Sequence, residues 1–303
     1  RDVLGSRGLG DVYKRQQLYY NILIYRTPLK SFRTPWILAN TNNTTAFAGL
    51  GYSVENKKDI NGHIVLGCSH IYSSNGEGLK YKLAKISNDK IQWRHKKPHL
   101  CYDDAYEFGK SIVNLFYESM NELPKRVVIH KRTFYTDEEK QGIIDSISDN
   151  KKIESIDLIE INFENNIKYA SSKIHDGKVD IDGFSVSRGT CIQLSSKEAL
   201  LWAHGVIPSV INPNWNFYPG GRYIPKPLRI IKHYGTGSLE QIANEILGLT
   251  KMNWNSLNMY SQLPATISSS NDIARIGKLI GANSMHEYDY RLSLIHISEP
   301  TRP

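Results

Sequence analysis

A mixed α/β fold, one central sheet with helices packed on it, is predicted by three observations. Apolar residues recur at strand-like spacing in the first part of the chain and near a 3.6-residue repeat further on. The first three strand-like runs are joined by short polar loops, which makes them an antiparallel meander. Beyond residue 100, strand-like and helix-like stretches alternate, the pattern of a layered α/β domain.

Each element follows from its own residues. Residues 18–43 read as an incoming segment, an apolar run (YYNILIY) followed by TPLKSFRTPW, whose prolines mark a turn or an extended connection. Strands are expected over 44–54, 63–73 and 79–86; the last alternates apolar and basic residues as a half-exposed strand does. A helix follows, with Asp103 and Asp104 at its start as caps. Tyr106, Ile112, Val113, Phe116 and Met120 form its apolar stripe, and Pro124 ends it. RVVIHK (126–131) is a compact buried strand. Thr136 and Glu139 are spaced as a capping box opening a helix through Ile147, and 153–163 is a further strand. The order β-β-β-α-β-α-β is that of the RNase H-like core. More strands are expected within 185–194, 199–211 and 227–235. Two helices then close one compact domain: one from Ser238, with Gln241 completing a second capping box, and one over 269–281.

Lysine and arginine (38) outnumber aspartate and glutamate (30), giving a formal charge of +8 that favours a polyanionic partner. The basic residues are dispersed, which argues against a tail-like arm. No apolar run approaches a membrane span. Cys68, Cys101 and Cys191 are odd in number and lack metal spacing, so they read as small packing residues in a reducing cytosol. His63 and His70 alternate with apolar residues along one strand and, without an acidic or cysteine partner to complete a site, do not read as metal ligands. Asp176, Asp180 and Asp182 lack the closing Glu of a calcium loop and read instead as a hairpin turn. Asp137, Glu138 and Glu139 suit a helix first turn. Gly235 and Gly237 either cradle a phosphate or make a plain strand-to-helix turn. Trp202, Trp215 and Trp254 are core residues or base-stacking platforms.

Several blocks carry a family resemblance. PWILANTNNTTAFAGLGYS resembles the entry to the PIWI domain of prokaryotic Argonautes. So do LPKRVVIHKRTF, GFSVSRGTCIQL, and the stretch from PKPLRIIKHYGTGSLEQIANEILGLTKMNWN to LPATISSSNDIARIGKL. The match covers about residues 30–282 and implies a PIWI domain over 41–292, preceded by the end of a MID domain over 17–40. Residues 1–16 and 293–303 resemble translated sequencing-adapter read-through and are set aside, with the native protein expected to extend past both.

The resemblance also implies a chemistry. Cutting members of the family hold two divalent cations on a set of acids. The first acid belongs in the opening strand, where this chain has Gly51. A second belongs at the end of the fourth strand, at His130-Lys131-Arg132, with Lys131 taken as the equivalent position. A third belongs near Asn271, beside Asp272. The implied protein is an inactive PIWI module with no metal of its own, although the intact protein can carry Mg at the guide 5′-phosphate. It would hold a guide strand, pair it with an invading target, and signal to an associated effector such as an APAZ-containing protein in the cytoplasm. Candidate backbone contacts are Arg188, Lys251, Asn253, Asn255, Arg275 and Lys278. Two other readings stand beside it: a divergent nuclease using Glu55, Asp137 and Asp272, and a scaffold that binds only protein.

Overall fold

The computed structural model describes residues 38, 45–54, 63–72, 79–87, 91–95, 97–169, 172–181, 186–206, 224–252 and 260–279. The meander forms as expected: β1 (Thr45–Val54), β2 (His63–Tyr72) and β3 (Leu79–Ser87) pair antiparallel in sequence order. Two further strands, β4 (Gln92–Arg94) and β5 (Lys97–His99), make a small separate hairpin that strand periodicity did not reveal. Helix α1 (Tyr102–Met120) follows, then β6 (Arg126–Lys131), α2 (Asp137–Ser148) and β7 (Ser155–Phe163). β8 (Ser172–His175) and β9 (Lys178–Ile181) form a second hairpin. Its two-residue turn is Asp176-Gly177, both with positive φ, as the Asp-Gly signal predicts. β10 (Cys191–Gln193), β11 (Glu198–Leu201), β12 (Leu228–Tyr234), α3 (Leu239–Leu249) and α4 (Ala265–Leu279) complete the described chain.

The main sheet has eight strands in the order β10-β11-β12-β7-β6-β1-β2-β3. β6 is parallel to both β1 and β7, and the other pairings are antiparallel. The run β3-β2-β1-β6-β7 is the RNase H-like core, and the sheet is mixed, with helices on both faces. Alternation along the strands divides the core. Ala46, Ala48, Leu50, Val127 and Ile129 pack under α1 and α2 with Phe108, Ile112, Phe116, Ile143 and Ile147. Phe47, Val128, Ile159 and Ile161 face the other way, towards Ile242, Ile246, Leu249, Ala265 and Ile267 of α3 and α4.

Several local expectations are corrected. The cap of α1 is Cys101, which makes no side-chain cap bond, so Asp103 and Asp104 lie inside the first turn. That helix stops at Asn121 in the left-handed conformation, before Pro124 is reached. Tyr106 is no core residue; its hydroxyl donates to Asp149 at the end of α2. The residues 202–206 after β11 are not strand, because the chain turns back there to bridge Val206 with Ser187. Helix α4 begins four residues earlier than its periodicity suggests. Pro264 supplies the start, its carbonyl accepting from Ile267 and Ser268.

Both capping boxes form only halfway. Thr136 and Ser238 accept from the amides of Glu139 and Gln241, but neither long side chain reaches back. The Gln241 amide runs forward to Glu245, and the Glu139 carboxylate turns inward to Lys131.

A second polar anchor joins the sheet to α3. Arg126 donates to Asp157 on β7 at 2.7 Å and to Glu245 on α3, and the Gly237 amide donates to Asp157 at 2.9 Å. Asp157 is fully buried. Asp157→Ala leaves Arg126 short of a partner and orphans the Gly237 amide. It is expected to destabilise the fold by about 3 kcal/mol, measured as a lowered urea midpoint at unchanged slope. The same bond answers the question of Gly235 and Gly237. A protein carboxylate already occupies the turn, so it is a structural strand-to-helix connection.

Candidate nucleic-acid interface

In an α/β sheet, ligands bind beyond the carboxyl ends of the strands, where neighbouring strands lead off in opposite directions. Here that point lies between β1, which continues to β2 on one side, and β6, which continues to β7 on the other. Gly51 and Asn271 meet at this corner, and the register that pairs Leu50 with Lys131 sets Arg132 on the neighbouring strand beside Gly51.

Gly51 points at α4. A Cβ on Gly51 would sit 2.7 Å from the Asn271 nitrogen and from the Ser270 carbonyl carbon. The helix backbone therefore lies directly on the strand, and the position has no room for any side chain. Asn271 is thus brought to Gly51. Asp272 is ion-paired at 2.8 Å with Arg275 on its own helix.

Lys131 is not part of this corner, which corrects the assignment of that position. Alternation sends its side chain to the opposite face of the sheet, under α2, where it is fully buried. Of His130-Lys131-Arg132, the residue beside the corner is Arg132, whose guanidinium lies over the Phe163 ring at 5.6 Å on the α3–α4 side. His130 points the same way and is fully buried, with Nδ1 2.9 Å from the Thr266 hydroxyl. Burial, with the nearby Arg126 charge, lowers its pKa to about 3, so it is a neutral packing residue.

A two-metal centre does not fit these residues. At the corner, one position is closed by helix backbone, one is an arginine and one is an amide. Among the described residues, no three His, Cys, Asp or Glu side chains come together as a metal-binding group. The acids of the alternative nuclease reading are also separated. Asp137 is exposed on α2 and pairs with Lys140, Asp272 lies on α4 across the sheet, and Glu55 is outside the described residues.

Beneath the corner, on the α1–α2 side, is a buried polar layer that sequence spacing did not disclose. Lys131 Nζ donates to Glu139 Oε1 at 2.6 Å and to the Phe134 carbonyl at 3.3 Å, and lies 3.3 Å from His99 Nδ1. Tyr52 and the Leu100 amide also donate to Glu139, at 3.1 and 3.3 Å. The rings of Tyr135 and Tyr52 stand 5.2 and 5.5 Å from the ammonium. Burial alone would raise the Glu139 carboxyl, but Lys131 and His99 outweigh it and hold it below the ordinary glutamate range. Glu160, on the strand beside Lys131, accepts from His233 at 2.8 Å if that ring nitrogen carries the proton. The only sequence signal for this layer was a lysine in a strand that otherwise reads as buried.

The six candidate contacts fare differently. Arg188 is committed internally: its Nη2 donates to the Leu247 carbonyl at 3.1 Å and to the Thr250 hydroxyl at 2.6 Å, and its guanidinium lies 4.6 Å from the Tyr260 ring centre. It braces the end of α3. Lys251 is half-buried just beyond that helix, where burial and the Arg188 charge lower its pKa. Arg275 is exposed and paired with Asp272. Asn253 and Asn255 lie outside the described residues, as does the Lys278 side chain. Of the three tryptophans, Trp202 is a core residue, packed with Val186 and Leu200 and donating to the Pro225 carbonyl at 3.2 Å; Trp215 and Trp254 lie outside the described residues.

No family model matches the sequence, and no curated protein matches it. Solved structures do match the fold. Clostridium butyricum Argonaute bound to a guide DNA and a 19-mer target DNA aligns with a TM-score of 0.58 and 18% identity, over 82% of this chain and 29% of that one. Aquifex aeolicus Argonaute with externally bound siRNA gives 0.54 and 20%, over 82% and 29%. Marinitoga piezophila Argonaute with a 5′-OH guide RNA and target DNA gives 0.53 and 16%, over 84% and 33%. This chain spans about a third of the length of these proteins. At such identities the likeness is one of fold, and the fold is Argonaute-like. Among the described residues, no helix is long and apolar enough to cross a membrane.

Proposed function

We propose that this chain is a guide-dependent nucleic-acid-binding PIWI domain of an Argonaute that does not cut. The observation that carries the reading is the corner at the ends of β1 and β6. There, helix backbone fills the position where the family resemblance expects the first acid, and Arg132 stands beside the position expected for the second. A cation beside a metal position repels the metal and favours a phosphate. The formal charge of +8 agrees with a polyanionic partner, and the solved proteins of like fold include complexes with guide and target strands.

In this reading base pairing selects the target, and the protein recognises backbone and helix shape. Binding of a target is passed to an associated effector, in the cytoplasm, as part of defence against invading nucleic acid. The internal bonds of Arg188 move it from phosphate contact to support of α3, leaving Arg132, Lys251 and Arg275 as candidate phosphate contacts among the described residues.

The test is affinity for a guide–target duplex as a function of salt. Binding is expected to weaken linearly on a log–log plot as phosphate contacts release counterions, and the bound target is expected to remain intact with Mg or Mn present. Affinity indifferent to salt would favour the protein-only scaffold. Metal-dependent cleavage lost on Asp272→Ala would favour the divergent nuclease.

A further inference from the structure

We propose that Arg132, held over the Phe163 ring, grips one backbone phosphate of a bound guide–target duplex without a metal ion. This rests on the reading of the chain as a guide-dependent nucleic-acid-binding module that does not cut. It deepens that reading by making Arg132 the contact and Phe163 the residue that positions it.

Arg132 is the first residue after β6, at the end of the sheet where β1 and β6 lead off in opposite directions. Alternation turns it to the α3–α4 side, away from the buried Lys131–Glu139 pair.

The side chain is oriented but uncommitted. Its guanidinium carbon lies 5.6 Å from the centre of the Phe163 ring, inside the ~6 Å reach of a cation–π contact. Phe163 is itself fixed, packed on the cluster that holds Ile159, Ile161, Ile242 and Ala265. Contact with a ring orients a guanidinium but supplies neither a counter-charge nor an oxygen acceptor. Among the described residues, none of the guanidinium N–H groups of Arg132 is hydrogen-bonded and no carboxylate pairs with it, although the side chain is half-buried. Two acids of the neighbouring elements are engaged elsewhere. Asp272 pairs with Arg275, and Glu160 faces the other side of the sheet with Lys131, where it lies 2.8 Å from His233. A partly desolvated guanidinium without a counter-charge is incomplete, and its planar fork of donors matches the two free oxygens of a phosphodiester. Gly51 and Asn271 bring no carboxylate that would repel a phosphate, so the guanidinium supplies there the positive charge that metal ions would otherwise bring.

The experiment measures affinity for guide–target duplexes in which a single linkage is a neutral methylphosphonate, moved one position at a time along each strand. It is run with Mg and again with EDTA. Wild type is expected to lose roughly 10-fold at one linkage, with or without Mg. Arg132→Gln should bind the unmodified duplex roughly 10-fold more weakly, with a salt slope lower by about 1, and be indifferent to neutralising that linkage. Arg132→Lys keeps the slope but loses part of the linkage effect, because an ammonium has no planar fork. It carries the test should Arg132→Gln melt below wild type. Phe163→Leu should weaken binding in the wild-type background and add nothing in the Arg132→Gln background, with Phe163→Tyr restoring it. Lys151→Gln, the same charge loss at an exposed position near the amino ends of the strands, should leave the linkage profile unchanged. A profile that both Arg132 variants share with wild type overturns this proposal, as does a linkage effect that EDTA removes, and either leaves guide-dependent binding standing. A wild type that binds no duplex overturns both.

Discussion

Replacing Glu139 with alanine is expected to cost about 3–5 kcal/mol, because it strands the Lys131 ammonium inside the fold with no counter-charge. The lysine is fully buried, and Glu139 is its one carboxylate at bonding distance among the described residues. Denaturant unfolding should show the loss as a shifted midpoint. Removing both charges together, as Lys131→Met with Glu139→Leu, is expected to recover most of it, since the pair must offset its own desolvation and contributes little net stability. A double variant as unstable as Glu139→Ala would contradict this account. The pH dependence follows with a definite sign. The folded Glu139 carboxyl titrates below its unfolded value of about 4.3. Its stabilisation is therefore fully present above that value and is lost as pH falls through the lower, folded one. Wild type should lose stability on acidification over this window more steeply than the double variant.

The second large effect concerns restoring the missing acid. Gly51→Asp is expected not to create a metal-dependent nuclease, and to destabilise the protein by at least ~1–3 kcal/mol through overpacking. The reason is space, because even a Cβ at Gly51 would lie inside contact distance of α4 backbone atoms that cannot swing away. Gly51→Ala should show much of the same penalty without adding charge. A Gly51→Asp protein that folds like wild type and cleaves a guide-paired target with Mg would show that α4 can withdraw and that the corner is closed only by choice of residue.

Much of this was legible in the sequence. The meander, the strand–helix alternation and the capping threonine and serine all act through near neighbours, so spacing alone located β1 to β3, β6, β7 and the starts of α2 and α3. Gly51 and Asn271 were singled out by the family resemblance rather than by spacing, and the fold brings the α4 backbone at Asn271 against Gly51. What failed depends on facing and on distance along the chain. Whether Lys131 or Arg132 looks into the corner is a matter of one residue in a strand's alternation, and no spacing rule settles it when both are basic. Glu139 read as the second half of a capping box, and only the fold shows that Lys131 draws it inward. Arg188 read as a phosphate ligand because its partners, Leu247 and Thr250, lie about sixty residues on. The β4–β5 hairpin escaped because three-residue strands carry no periodicity, although Trp-Arg-His-Lys-Lys was visible as a basic, aromatic run.

The most direct test of the central claim is to purify the protein at low salt, extract and end-label whatever short nucleic acids accompany it, and then present a complementary target with Mg or Mn. A discrete population of short strands, together with a target that is captured and left whole, is the result the account predicts. A preparation repeatedly free of nucleic acid, or a target cut at a fixed position, would contradict it.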